Sequence, residues 1–183
     1  MRYDGPVPHA VIAIFGSSRT PPESEGWRRA EAWGEAVARA GFAVATGGYG
    51  GSMEAASRGA KRAGGLVIGV TAPDLFKSRG GPNAHVDLEL PAPTLPGRIE
   101  RMLELSSAAL ALPGGLGTLT EIMVAWNLAY IQRLQGEPPL PIGVDAAWME
   151  GLRPQLELSA AEFELLTPIA DLDALEAFLR SLA

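Results

Sequence analysis

The strongest chemical signal in the chain is at residues 110–121, an apolar run that breaks into glycines and then continues as a predicted helix. Gly114, Gly115 and Gly117 have no side chains, so backbone N–H groups there can approach a bound anion closely. The helix that follows adds unpaired N–H donors and the positive end of its dipole, both of which favour a phosphate. Glu121 lies about one turn into that helix, where its carboxylate can reach a sugar attached to the phosphate.

A structural interpretation of the same segment is also open. Thr118 and Glu121 have the Ser/Thr-x-x-Glu spacing of a capping box, in which two side chains satisfy the N–H groups at the start of a helix. The segment alone does not decide between a phosphate site and a helix cap, so the elements around it must.

Three apolar runs of the kind found in strands buried on both faces each end in a loop of small residues. The runs are residues 10–15, 42–45 and 108–112. The loops are residues 16–18, 47–51 and 114–118. Carboxyl ends of parallel strands meet at one edge of a sheet, so we expect the three loops to converge there and to bind an extended phosphorylated ligand.

The order of strands and helices predicts an α/β fold: a Rossmann-like, doubly wound parallel sheet in three αβα layers. We expect a single α/β domain over residues 1–183, with residues 1–9 as an irregular lead-in. Ser52 is predicted to cap the second helix. The predicted helices are about residues 25–40, 52–63, 95–106, 116–132, 148–158 (interrupted by Pro154) and 171–182 (capped near Asp171). Further strands are predicted at residues 66–70, 85–90, 140–144 and 165–169.

The predicted helix at residues 116–132 is apolar on nearly all sides. One sheet covers only one side of a helix, so the remaining apolar surface needs another partner. We therefore expect a homodimer in which the helix around Leu119–Ile131 packs against the same helix of a second copy.

Composition narrows the possible partners. The net charge of −6 and the pI near 5.0 disfavour binding to nucleic acid or to an anionic membrane. There is no cysteine, and His9 and His85 are far apart, so no metal site is expected. With no apolar run of membrane length and no signal peptide, we expect a cytoplasmic protein whose ligand is a small molecule.

Three common phosphate and hydrolase motifs are absent. Gly115-x-Gly117 is followed by Thr120, which does not fit the dinucleotide fingerprint G-x-G-x-x-G. There is no Gly-Lys-Ser/Thr of a P-loop and no Gly-x-Ser-x-Gly of an α/β-hydrolase. These absences disfavour a nicotinamide oxidoreductase, a P-loop NTPase and an α/β-hydrolase.

The run Pro113-Gly114-Gly115-Leu116-Gly117-Thr118-Leu119-Thr120-Glu121 resembles the PGGxGTxxE signature of the LOG family, the cytokinin riboside 5′-monophosphate phosphoribohydrolases. Arg98, sixteen residues before Gly114, corresponds to a second landmark of that family. Residues 47–54 and 15–18 resemble its other two glycine loops, so the resemblance covers about residues 10–145. The sequence departs from the family pattern at Pro96, Gly97 and Ile99.

The resemblance implies hydrolysis of the N-glycosidic bond of a purine nucleoside 5′-monophosphate, with adenine or an N6-substituted adenine as the base. It implies Arg98 and Glu121 as catalytic residues and no cofactor. The implied substrate-binding residues are Gly16, Ser17, Gly47, Gly48, Gly50, Gly51, Met53, Gly114, Gly115, Gly117 and Thr118. The Gly-Gly-Tyr-Gly-Gly form of the second loop also resembles molybdenum-cofactor carriers, which bind without hydrolysis, and that alternative stays open.

The same family is often labelled lysine decarboxylase, an activity that needs pyridoxal phosphate on a lysine. Lys61 and Lys77 are the only lysines, and neither lies in a motif of that kind. We therefore expect no true lysine decarboxylase activity.

Overall fold

The computed structural model of the protein describes residues 10–182, apart from the side chain of Arg79. Its sheet has seven parallel strands and is covered by helices on both faces, which confirms the predicted fold class. The irregular lead-in predicted at residues 1–9 lies outside the described residues. Across the described chain, no helix has an apolar stretch long enough to cross a bilayer.

The elements alternate along the chain as the sequence predicts. The strands are β1 (Val11–Phe15), β2 (Ala43–Thr46), β3 (Val67–Gly69), β4 (Leu88–Glu89), β5 (Ala108–Ala111), β6 (Ile142–Asp145) and β7 (Leu166–Ile169). The helices are α1 (Glu25–Arg39), α2 (Ser52–Arg62), α3 (Leu95–Leu105), α4 (Leu116–Leu134), α5 (Ala146–Leu152), α6 (Ala160–Phe163) and α7 (Leu172–Arg180). Two short 3₁₀ turns occur at Lys77–Arg79 and Arg153–Gln155.

The sheet has the strand order β4-β3-β2-β1-β5-β6-β7. In the middle of it, Ala13 of β1 lies opposite Ala45 of β2 on one side and Ala109 of β5 on the other. The chain builds the sheet outward from β1 in one direction and then returns to add β5 on the other side. The strand order therefore reverses between β1 and β5, and ligands of such sheets bind at that point.

The core has two halves because successive side chains of a strand point to opposite faces. Ile12 and Ile14 of β1 pack with α1, α2 and α7, whereas Ala13 and Phe15 pack with α3 and α4. On α1, Trp33 is fully buried and packs in the same half as Ile12 and Ile14. The two halves hold the carboxyl ends of the central strands in a fixed layer, from which the loops project.

Three local predictions are wrong in detail. Ser52 does not cap α2, because Gly51 occupies the N-cap position and Ser52 is the first helical residue. The helix expected at residues 148–158 both begins and ends earlier. α5 begins directly after Asp145, whose carboxylate accepts from the N–H of Trp148 at 3.0 Å. It ends at Leu152, and Pro154 lies in the 3₁₀ turn that follows. The strand expected at residues 85–90 shortens to two residues at the edge of the sheet.

Candidate active site

A cleft of about 360 Å³ lies at the point where the strand order reverses, between the ends of β1 and β5. Its size falls within the range of small-molecule sites. The residues that line it are Gly16, Ser17, Ser18, Arg19, Met53, Phe76, Leu95, Arg98, Gly115, Leu116, Gly117, Thr118, Thr120 and Glu121. Loops that are about 100 residues apart in the sequence thus contribute to one cavity, as the parallel sheet requires.

The loop after β1, residues 16–20, is held by the start of α2. The N–H of Ser52 donates to the carbonyl of Ser17 at 2.8 Å, and the hydroxyls of Thr20 and Ser52 lie 2.7 Å apart. A Cβ on Gly16 would lie 2.7 Å from that of Ser52, so Gly16 allows the close approach. Gly16 and Ser17 both line the cleft, where the sequence placed them.

The β2 loop, residues 47–51, forms a wall behind the cleft. A Cβ on Gly47 would lie 1.8 Å from Nη2 of Arg98, so the guanidinium rests directly on the backbone of Gly47. Gly48 and Gly51 have φ of +77° and +69°. The side-chain amide of Asn83 donates to the carbonyl of Gly48 at 3.1 Å and holds the loop from outside.

Of the candidate residues on this side of the cleft, Met53 lines it, whereas Gly47 contacts Arg98 from behind. Gly48 and Gly51 shape the loop and do not line the cleft. Gly50 lines a neighbouring cavity of about 350 Å³ between the β2 loop and residues 80–83. Of the predicted substrate-binding residues in this segment, the structure thus places Met53 in the cleft and the four glycines outside its lining.

The β5–α4 turn, residues 113–118, forms the opposite wall. A Cβ on Gly114 would lie 2.1 Å from Oγ1 of Thr118, so this glycine makes room for the buried threonine. Gly115 and Gly117 line the cleft, and a Cβ on Gly117 would meet nothing within 4 Å. Since the first N–H groups of a helix have no partner within it, the N–H groups at residues 116–118 provide donors beside the cleft.

The capping-box interpretation of this turn is wrong. Gly115 is the N-cap residue of α4, and no side chain caps the helix. Glu121 instead turns toward α3, where its Oε1 accepts from Nη1 of Arg98 at 3.3 Å. Although Thr118 and Glu121 have the spacing of a capping box, Glu121 forms a contact between α4 and α3.

Arg98 and Glu121 form a buried ion pair at the base of the cleft, with 5% and 6% of their surfaces exposed. Arg98 also donates from Nε to the carbonyl of Val70 at 2.8 Å. The carboxylate of Glu121 and the carbonyl of Val70 therefore stabilise the positive charge of Arg98, and the backbone of Gly47 fixes the position of its guanidinium. Ile99, at one of the departures from the LOG pattern, is buried among the apolar side chains of the α3 and α4 face.

Burial raises the pKa of Glu121 to about 7, and the nearby positive charge of Arg98 acts in the opposite direction. The carboxyl group thus titrates close to neutral pH, which is typical of groups that transfer or stabilise charge in catalysis. A carboxylate that is ionised near pH 7 and nearly water-free interacts strongly with a positive charge that forms beside it.

Sequence reasoning missed several residues of the cleft. Arg19 lies in the loop after β1, two residues beyond Ser17, and its position at a strand end is a signal that was available in the sequence. Phe76 lies in the long excursion after β3 and packs edge-on against Tyr49 at 5.6 Å between ring centres. No local pattern points to Phe76, because the fold of that excursion brings it to the cleft.

Other chemistry has little support in residues 10–182. No cluster of histidine and carboxylate side chains there has the arrangement of a metal site. Lys61 lies outside the cleft and forms an ion pair of 2.8 Å with Asp87, whose carboxylate also accepts from the N–H of Val67. Lys61 thus anchors Asp87 beside the edge of the sheet.

Comparisons with known proteins give the family and the fold. The sequence model of the SLOG cluster4 family matches residues 9–132. A Mycobacterium tuberculosis protein named cytokinin riboside 5′-monophosphate phosphoribohydrolase is 30% identical over 146 residues, which are 78% of this chain and 75% of the relative.

Two solved structures share the fold. The molybdenum cofactor binding protein of Rippkaea orientalis has a TM-score of 0.71 and 24% identity, over 94% of this chain and 96% of the other. The Moco carrier protein of Chlamydomonas reinhardtii has a TM-score of 0.70 and 24% identity, over 97% and 98% of the two chains. At this identity the two structures support the fold and not a shared ligand.

Proposed function

The chain belongs to the SLOG cluster4 family, and we propose that it hydrolyses the N-glycosidic bond of a purine nucleoside 5′-monophosphate to the free base and ribose 5-phosphate. The observation that carries the proposal is the buried pair of Arg98 and Glu121 beside the start of α4. The name of the relative from M. tuberculosis supports the same reaction class.

In this proposal the 5′-phosphate binds the N–H groups at the start of α4, together with Thr118. The ribose then lies over Glu121. As the bond from C1′ to the base nitrogen breaks, positive charge develops on the ribose, and the carboxylate of Glu121 stabilises it or orients the attacking water. The water oxygen bonds to C1′, and the departing base takes up a proton.

Arg98 acts mainly through Glu121. Its guanidinium lowers the pKa of Glu121 and so increases the ionised fraction at neutral pH. Its contacts with Gly47 and the carbonyl of Val70 prevent it from swinging into the cleft. We assign Arg98 to hold the carboxylate in its charged form and in a fixed orientation.

The base has an apolar surface available to it. The side chains of Met53, Phe76, Leu95 and Leu116 line the cleft. The flat face of a purine packs favourably on such a surface, and an apolar substituent on N6 extends the contact. We therefore propose that a purine base packs on this surface, and the name of the relative from M. tuberculosis supports an N6-substituted adenine.

The direct test is incubation of the protein with AMP and with N6-isopentenyl-AMP, followed by chromatographic detection of the free base. We expect Glu121→Gln to reduce the release about 10²- to 10³-fold, with an unchanged circular dichroism spectrum. Glu100→Gln, a matched change on the exposed side of α3, should leave the rate unchanged. Tight binding of the nucleotide without release would contradict hydrolysis and support the carrier alternative.

We also propose that the chain forms a homodimer through α4. Its outer face has an apolar stripe whose residues are spaced seven and four positions apart. The stripe consists of Met123, Tyr130 and Leu134 with Val124 and Ile131 beside it, and Leu134 is 69% exposed. A second copy of α4 across a two-fold axis would cover the stripe with its own equivalent residues.

Light scattering at micromolar concentration tests the dimer. We expect twice the chain mass for the wild type and the mass of one chain for Tyr130→Glu, which places a charge in the middle of the stripe. Ala177→Glu adds the same charge at an exposed position of α7, which packs on the other face of the sheet, and should leave the dimer intact. A wild-type protein with the mass of one chain would contradict the proposal.

A further inference from the structure

Arg19 occupies an unusual electrostatic position. It extends from the loop after β1 across the cleft to the β5–α4 turn, where its Nη2 would lie 3.2 Å from a Cβ on Gly115. Gly115 is the N-cap of α4, so the guanidinium lies beside the positive end of a 19-residue helix. Two positive groups placed together favour an anion between them.

Nothing in residues 10–182 neutralises Arg19. No carboxylate there lies within ion-pair distance of it, in contrast to Arg29, Arg58 and Arg98, which all have acidic partners. The side chain of Arg19 is exposed, and its guanidinium lies next to the backbone of Gly115. Arg19 is therefore the charged group of the cleft wall whose donors are available to a ligand.

The backbone beneath Arg19 is fixed even though its side chain is exposed. Its N–H donates to Oγ of Ser17 at 3.1 Å, and the carbonyl of Ser17 accepts from the N–H of Ser52. Thr20 is tied to Ser52 as well. The loop thus presents the guanidinium from a firm base, which reduces the entropy lost when a ligand binds.

The other arginine of the cleft cannot take this role. Arg98 is buried, and it donates to Glu121 and to the carbonyl of Val70. A phosphate placed against Arg98 would compete with Glu121 for the same donors. The two arginines of the cleft therefore have separate roles: Arg98 binds the side chain of Glu121, and Arg19 is available to bind the ligand.

We propose that Arg19 binds the 5′-phosphate of the substrate from the side opposite the start of α4, and that it selects phosphorylated nucleosides over free ones. This inference rests on the proposed function for the identity of the substrate. A planar guanidinium offers two parallel donors to a phosphate, and the helix N–H groups complete the contact from the other side. Arg19 is a binding residue and takes no part in breaking the glycosidic bond.

Calorimetric titration with ribose 5-phosphate tests the inference without any turnover. We expect Arg19→Met to weaken binding about ten- to hundredfold, as for loss of a charge-assisted hydrogen bond. Arg19→Lys should recover part of the affinity, since it keeps the charge and loses the planar fork. Arg28→Met is the matched control, because it removes an exposed positive charge from α1 outside the cleft, and it should bind as the wild type does.

Kinetics provide the second measurement. Arg19→Met should lower kcat/KM for AMP about tenfold or more and leave kcat/KM for adenosine unchanged, because only AMP carries the phosphate. Wild-type affinity of Arg19→Met for ribose 5-phosphate would overturn the inference, and so would an equal loss in Arg28→Met. If the wild type releases no base from AMP while ribose 5-phosphate binding still depends on Arg19, the proposed function fails and the phosphate contact stands.

Discussion

The β2 loop and the β5–α4 turn look alike in the sequence, since both are rich in glycine and both follow a buried strand. Their glycines differ in what surrounds them. In the β2 loop a Cβ on Gly47 or Gly51 would collide with Arg98 or with the carbonyl of Ser17. In the turn a Cβ on Gly117 would meet nothing within 4 Å, and one on Gly115 would approach only Arg19.

The difference separates two reasons for a glycine near a site. The β2 loop uses glycine so that other parts of the protein can pack on its backbone, which fixes Arg98. In the β5–α4 turn, Gly115 and Gly117 keep space open beside the N–H groups of α4, where we propose that the phosphate binds, whereas Gly114 makes room for Thr118. A side chain added at Gly47 or Gly51 should disturb the protein, and one added at Gly115 or Gly117 should disturb only the ligand.

The largest effect is expected for Gly47→Ala. The added Cβ would lie 1.8 Å from Nη2 of Arg98 and 2.6 Å from Sδ of Met53, so Arg98 must shift away from Glu121. We expect base release to fall about 10²-fold and the free energy of unfolding to fall by about 1–3 kcal/mol, measured by chromatography and by urea denaturation. Gly151→Ala, in α5 where a Cβ meets nothing within 4 Å, should leave base release unchanged and should not lower the free energy of unfolding. Wild-type activity in Gly47→Ala would show that the contact does not hold Arg98 in place.

Gly51→Ala should mainly reduce stability. Its φ of +69° is unfavourable for alanine, and the Cβ would lie 2.3 Å from the carbonyl oxygen of Ser17. We expect a loss of about 2–4 kcal/mol in the free energy of unfolding. Gly64→Ala has a similar φ of +77° with open space around it, so it should lose only about 1 kcal/mol. Equal losses for the two variants would contradict the role of packing at Gly51.

The pH dependence tests the ion pair that joins the two regions. Because the pKa of Glu121 in the ligand-free protein is raised to about 7, the carboxylate is lost below that pH, and kcat/KM should fall about tenfold per pH unit there. In Gly47→Ala the displaced Arg98 no longer lowers this pKa, so the fall should begin at higher pH. A flat profile between pH 5 and pH 8 would mean that the ionised Glu121 is not required.

The raised pKa of Glu121 also makes the free energy of unfolding depend on pH. Between about 4.5 and 7 the folded protein binds the Glu121 proton more tightly than the unfolded chain does. The stabilising contribution of the protonated form is therefore complete below about pH 4.5 and is lost as the pH rises through 7. Glu121→Gln should remove this part of the slope in urea denaturation measured across that range. An unchanged slope would contradict the assignment of the pKa.

The smallest effect is expected for Gly117→Ala. Alanine in the first turn of α4 favours the helix by up to about 1 kcal/mol, so the free energy of unfolding should stay the same or rise. The Cβ would project beside the cleft, and KM for AMP should rise about tenfold. If KM stays at the wild-type value, the ligand does not lie against this part of the turn.

Much of the fold could be predicted from the residues alone. Buried strands such as residues 10–15 and 108–112 are continuous apolar runs, and the helices between them have an apolar face, so the parallel sheet follows. The convergence of the three loops follows from the sheet. The helices near the end of the chain were harder to predict. Asp145 and Ser159 start two of them by capping contacts of their side chains, which the hydrophobic periodicity does not reveal.

The site was predictable in its outline. Glu121 was predicted from its position after the glycines and Arg98 from the resemblance to the LOG family, and the structure places the two side chains within 3.3 Å of each other. Arg19 was not predicted, although its position in the loop after β1 was a signal in the sequence. Phe76 was not predicted because the course of the long excursion after β3 depends on contacts far away in the sequence.

The sequence by itself determined the order of elements, the parallel sheet and the edge at which small residues collect, because these depend on hydrophobic pattern and local chain geometry. Only the tertiary structure decided which glycines serve packing and which leave space, since that depends on the atoms that approach from elsewhere. It also decided the raised pKa of Glu121, because water is excluded from the carboxylate only once α3 and α4 have packed on the sheet.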